Sequence, residues 1–229
     1  VGLVTGAVVS LFRWILGYAD DIRNYFISLA KTNISGLAIA LGVLELLLLI
    51  TFLCLKFEPL TSGSGIPQVK GEIQGAIKSK WGKVLVLKFI GGVASIMAGL
   101  SLGREGPSIQ LGAMSGKGVA KAIEKKKDDS IKLMICGAGA GLSAAFSAPL
   151  AGIIFVIEEL HKKYSTEILL SSMASTITAD WVCSTLFGLK PVFTIALGMG
   201  LPLERYWEIP VLGIILGAFG ALYNKSIEF

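Results

Sequence analysis

Runs of apolar residues follow one another along this chain with short polar breaks between them, at 36–57, 84–102, 133–157, 168–187, 191–203 and 209–223. The first run centres on Leu47, Leu48, Leu49 and Ile50 and holds a single acid, Glu45. A bilayer core requires about 20 mostly apolar residues in a helix, so this run is long enough to cross. A soluble helical protein would show polar faces at a 3.6-residue period, whereas these runs are apolar on every side. The pattern predicts an all-α polytopic membrane protein, with 1–229 forming a single transmembrane domain.

The polar breaks are basic. Lys70, Lys78, Lys80 and Lys83 fall in one, Lys117, Lys121, Lys125, Lys126, Lys127 and Lys132 in a second, and His161, Lys162 and Lys163 in a third. The positive-inside rule puts all three on the cytoplasmic side and makes hairpins of the helices between them. Composition agrees: 16% of residues are charged and 53% hydrophobic, against about 25% charged in soluble domains, and the mean hydropathy is +0.72. The net charge of +5 raises the question of nucleic acid. The lysines, however, lie in short loops without the interleaved aromatics of a stacking platform, so no nucleic-acid partner is expected. Cys54, Cys136 and Cys183 stand inside apolar stretches without a CxxC pair, which predicts buried small hydrophobes. The chain opens on Val1 with Arg13 inside an apolar stretch, the expected look of a truncated or internal start rather than a signal peptide.

Glycine and proline interrupt the runs in an unusual way. The 84–102 run ends in Gly103-Arg104-Glu105-Gly106-Pro107, and a helix-like stretch at 108–123 follows at once. Ser147-Ala148-Pro149 cuts the 133–157 run, and Gly63-Ser64-Gly65-Ile66-Pro67 opens a short helical stretch at 68–78. Irregular backbone at membrane depth persists only where it is buried in protein or lines a watery cavity, because lipid cannot satisfy its N–H and C=O groups. Several broken helices in one chain therefore predict a transport site.

At Gly63–Pro67, proline suits the first helical turn, the glycines admit a ligand to the backbone, and Ser64 adds a hydroxyl beside free N–H groups. Such a helix N-terminus attracts a small anion without the tight grip of a Lys or Arg side chain, as permeation requires. The competing reading is an exposed turn with Ser64 as an N-cap. The second break places a carboxylate, Glu105, at its helix N-terminus. Ionised, it can occupy the positive end that would otherwise hold the anion; protonated, it has no reason to stay, so proton uptake and anion entry become coupled. The competing reading is a capping glutamate paired with Arg104. Glu158 and Glu159 end the 133–157 hairpin, and acids near membrane depth are functional candidates. The alternative pairs them with His161, Lys162 or Lys163 at the interface.

Other signals are weak. Gly137, Gly139 and Gly141 fail the spacing of a dinucleotide loop and suit close helix packing. Leu111 and Gly118 break any phosphate-loop match around Gly116-Lys117. No Ser/His/Asp set, metal cluster or cofactor loop exists, so neither an enzyme nor a cofactor or metal site is expected.

Taken together, Gly63-Ser64-Gly65-Ile66-Pro67, Gly103-Arg104-Glu105-Gly106-Pro107 and Ala148-Pro149-Leu150-Ala151-Gly152 leading into Glu158-Glu159 resemble the CLC family of chloride channels and chloride/proton antiporters, in order and in approximate spacing. The resemblance implies that Ser64, Gly65, Ile66 and Gly106 bind chloride, with Gly63, Pro67, Gly103, Arg104 and Pro107 as motif support. A Ser at 64, rather than the Pro or Asn of some relatives, implies chloride preference over nitrate or fluoride. Glu105 corresponds to the gating glutamate that also carries protons on the external side. Glu159 corresponds to the internal proton-transfer glutamate, which favours an antiporter. A gated chloride channel is the alternative, and a non-transporting packing module is a second. The resemblance covers half of a two-repeat, inverted-topology membrane domain, the second repeat beginning at about 208–229. It implies a homodimer in the plasma (inner) membrane that needs the other half of the same protein to transport. After Pro67, the charges of Gln68-Val69-Lys70-Gly71-Glu72 vary among relatives and bear on the internal vestibule's potential.

Overall fold

The computed structural model describes residues 1–162, 165–188 and 202–227, all in helices, turns and short links. Eight α-helices fall in the unit Val1–Val192. These are α1 (Gly2–Ala30), α2 (Ile34–Phe57), α3 (Ile66–Ile73), α4 (Trp81–Met97), α5 (Glu105–Ala122), α6 (Lys127–Phe146), α7 (Pro149–Phe155) and α8 (Thr166–Phe187). A separate unit, Phe193–Phe229, holds α9 (Glu208–Ile227). The expected run at 191–203 lies almost wholly outside the described residues.

Local chemistry sets the boundaries. Asn33 caps α2, its side chain accepting from Gly36 N at 2.7 Å. Proline stands in the first turn of α3 and of α7, where its missing N–H costs nothing. The break in the 133–157 run occurs where expected: Ser147 adopts the left-handed conformation at φ 53° and Pro149 starts a new helix. The chain continues into a π-helical turn over Val156–His161. Two expectations need correction. The short helix expected at 68–78 is α3, shorter and starting earlier, because Gly75 turns left-handed and the Ala76 and Ile77 N–H groups fold back onto Gly71 O at 2.8 and 3.1 Å. The second helix of the Gly103–Pro107 break starts at Glu105 rather than Ser108, so the motif's glutamate belongs to the first turn.

Among the described residues, three segments are long and apolar enough to span a membrane: Gly2–Ala30, Ile34–Phe57 and Leu203–Ile227. Of the other helices, all but the short α7 carry polar or charged residues. α5 and α6 form the buried centre of their unit and are built from small and polar residues. Their backbones touch: a Cβ on Gly112 would strike Gly137 O, one on Gly116 would strike Leu133 O, and one on Gly141 would strike Ser108 O. That contact explains the Gly137–Gly141 stretch as close packing rather than a nucleotide loop. Around this centre pack α8, where Ser143 donates to Thr176 O at 2.9 Å, and α1, whose Arg13 donates to Ala144 O at 2.7 Å. The three cysteines are buried and free. α2 exposes most of its surface, as a helix facing lipid would.

Candidate anion site and an internal ion pair

The two glycine-rich breaks meet. Gly106, in the first turn of α5, backs directly onto Ser64: a Cβ there would lie 2.5 Å from Ser64 O and 2.8 Å from Ser64 Cβ. Only glycine permits the approach. Gly65, the residue that precedes α3, has φ +91°, the left-handed region open to glycine. A Cβ on Gly65 would lie 2.5 Å from Gln110 Oε1. Gln110 is buried on α5 and donates from Nε2 to Leu60 O at 2.8 Å, clamping the segment that precedes the first break.

Between the breaks lies a cavity of about 440 Å³, lined among others by Gly63, Ser64, Gly103, Glu105, Gly106 and Pro107. Gly65, Ile66, Pro67 and Arg104 are not on its wall. Gly65 is buried beneath Gln110. The Ser64 hydroxyl is loosely engaged, accepting from Ile66 N at 3.4 Å, so it is free to turn towards a ligand. Glu105 is half-buried, and its carboxylate lies back against Gly103, in the place a Cβ would fill. Among the described residues no hydrogen bond or close ion pair joins Glu105 to Arg104. The Arg104 backbone oxygen instead receives Ser108 Oγ at 2.7 Å and Ser108 N at 3.1 Å.

Sequence reasoning missed the residue that holds the first break in place. Lys88, on α4, is 4% exposed and donates from Nζ to Thr61 O at 2.8 Å and Gly63 O at 2.7 Å. Among the described residues it has no carboxylate partner, and it lines the same cavity. An ammonium satisfied by carbonyls alone leaves a net positive charge beside Ser64, which favours an anion there. The signal was available, since a lysine inside the 84–102 apolar run is a functional candidate by position.

Glu159 stands elsewhere. It sits in the π-helical turn and pairs with Lys70 of α3, not with His161 or Lys162; Glu158 is exposed. Lys70 follows Ile66, the first residue of α3, by four residues, which places it roughly 6 Å along the helix axis from the first break. One short helix thus follows the Ser64 break and, on its second turn, presents a cation to Glu159. Its Glu72 pairs with Lys117 and accepts from Ser79 Oγ at 2.6 Å. Among the described residues no group of three His, Cys, Asp or Glu side chains is placed to hold a metal.

Comparison with known proteins shows the family. Residues 46–229 match the model of the voltage gated chloride channel family. The chain is 34% identical to the H(+)/Cl(-) exchange transporter ClcA of Vibrio parahaemolyticus over 99% of its own length and 50% of that protein's. It is also 34% identical to the ClcA of Yersinia pestis over 98% of its length and 50% of that protein's. It therefore spans about half the length of these curated relatives. The crystal structure of a slow cyanobacterial Cl-/H+ antiporter superposes with a TM-score of 0.82 at 31% identity, covering 98% of this chain and 54% of that one. A CLC-type fluoride/proton antiporter superposes at 0.65 and 22% identity, a likeness of fold alone. With two converging broken helices, an anion-favouring cavity and these relatives, the chain belongs to the voltage gated chloride channel (CLC) family.

Proposed function

We propose that this chain is the N-terminal half of a chloride/proton antiporter, and that it transports only together with the remainder of its protein. The observation that carries the reading is the convergence of Ser64, Gly106 and Glu105 on one cavity beside the uncompensated Lys88 ammonium. A chloride ion there is coordinated by the Ser64 hydroxyl and the backbone N–H of Gly106, while the Gly65 and Ile66 N–H groups, which lie off the cavity wall, contribute only through the positive end of their helix. None of these donors carries a formal charge, so the anion is held weakly enough to leave. Glu105 competes for the same end of α5: ionised, its carboxylate occupies the anion's place; protonated, it withdraws and admits chloride. Each exchange of anion for carboxylate then moves a proton.

Glu159 is the internal proton-transfer group. Its ion pair with Lys70 links it to the helix that follows Ser64, so the proton route and the chloride route both touch α3 without sharing a cavity. The second inverted repeat, beginning near 208–229, completes the site, and the assembly is a homodimer in the plasma (inner) membrane. Bromide anomalous scattering from crystals of the full-length protein tests the site. A bromide peak is expected between Ser64 Oγ and the Gly106 N–H, weakened in Ser64→Ala. No peak within contact distance of either residue would refute the assignment.

A further inference from the structure

A second cavity, of about 450 Å³, opens where the turn after α3 meets the start of α4, the end of α5 and the start of α6. It shares no lining residue with the anion cavity. Five lysines line it: Lys78, Lys117, Lys121, Lys125 and Lys127. Lys117 is already engaged, pairing with Glu72 and donating to Ser79 O at 2.6 Å. Among the described residues the other four have no ion pair or side-chain hydrogen bond. Lys117 and Lys121, four apart on α5, share one helix face. Of the acids nearby, Glu72 is committed to Lys117; Glu124, Asp128 and Asp129 adjoin the lysines in sequence, and Asp129 shares the smaller neighbouring cavity with Lys125, but among the described residues none of the three forms an ion pair with the four lysines.

Four ammonium groups gathered on one concave wall, none of them paired to a carboxylate among the described residues, repel one another, and the wall focuses their field on whatever anion enters. The cavity falls in the size range of small-molecule sites and is far larger than a halide needs. Lysine recognises phosphate as a point charge, and basic pockets between membrane helices on the cytoplasmic side suit phosphate headgroups. Half-buried Trp81, its ring held against Gly118, gives the wall an apolar side for the rest of such a molecule.

We propose that this lysine-walled cavity is a second anion site, on the cytoplasmic side, that binds a phosphate-bearing ligand with two or more negative charges. That chemistry is shared by anionic lipid headgroups and by soluble phosphates such as nucleotides. The full-length protein in detergent is titrated calorimetrically with ATP and pyrophosphate. In parallel, native mass spectrometry counts bound cardiolipin and phosphatidylglycerol against phosphatidylcholine. One saturable site is expected in at least one arm, weakened tenfold or more by Lys78→Gln with Lys121→Gln, and unchanged by Lys31→Gln with Lys56→Gln. Lys125→Gln with Lys127→Gln is a second pair, to be used if the first fails to elute as a folded protein. Binding of the soluble phosphates alone assigns a free ligand, and binding of the acidic lipids alone assigns a headgroup. Saturable binding in neither arm, or equal weakening by the cavity pairs and the control pair, overturns the proposal.

Discussion

Replacing Lys88 by methionine removes one positive charge from the wall of the anion cavity while keeping the length of the side chain. The Lys88 ammonium lies 2.7 Å from Gly63 O, and the next residue along is Ser64. Lys88 and Ser64 line one cavity, and an anion at the Ser64 hydroxyl is taken to lie roughly 7 Å from the charge. At an effective dielectric constant near 20, this attraction is worth about 2 kcal/mol, or roughly thirtyfold in Kd. The structural loss is separate. Thr61 O and Gly63 O lose a charged donor, each bond contributing about 1.5–3 kcal/mol, offset by relief from burying the charge. Two readouts divide these effects: calorimetric chloride titration of the full-length protein, and its thermal unfolding. Lys88→Met is expected to bind chloride about thirtyfold more weakly, and Lys88→Arg, which keeps the charge, to retain most of the affinity. A Lys88→Met protein that stays folded and binds chloride as tightly as the parent would show Lys88 to be a clamp only.

Ser64→Ala removes one donor to an anion, a hydrogen bond of about 1.5–3 kcal/mol, and should weaken chloride in the same titration by at least tenfold. Gly106→Ala would force a Cβ to within 2.5 Å of Ser64 O, so it should both weaken chloride binding and lower the unfolding temperature. Gly137→Leu would part α5 from α6 at the Gly112 contact; overpacking of this kind costs about 1–3 kcal/mol or more, visible as a lost folded fraction in size-exclusion chromatography. The Lys70–Glu159 pair is partly exposed, so Lys70→Gln should cost no more than about 1 kcal/mol of stability. It should nevertheless slow proton-coupled flux in liposomes. Swapping the two charges should restore the unfolding temperature without restoring the coupling.

The positions of the helix breaks were legible in the sequence because proline and glycine act locally. Pro67 and Pro149 stand in first turns, and Gly65 sits at the left-handed φ its motif requires. The apolar pattern located α2, α4, α8 and α9 to within a few residues, with α3 misjudged because a left-handed Gly75 cannot be told from a helical one by composition. The paired small residues of α5 and α6 suggested close packing, though not which carbonyl each glycine faces. What the sequence could not show is juxtaposition. Gly106 lies against Ser64, Lys88 reaches back to Gly63, and Lys70 meets Glu159 across 89 positions of chain. Each contact follows from how helices cross, and the residues flanking Glu159 offered closer and wrong partners. Lys88 was visible as an intramembrane charge, but its purpose appears only when the carbonyls it serves are in place.

The central claim is that anion and carboxylate exchange at one helix end, so that chloride flow moves protons. It is tested most directly by imposing an outward chloride gradient on liposomes that contain the full-length protein and recording proton movement against its own gradient. Uphill proton uptake is predicted, abolished in both Glu105→Ala and Glu159→Ala while chloride flux survives in each. Chloride flux without proton movement in the parent protein would contradict the claim and leave a channel.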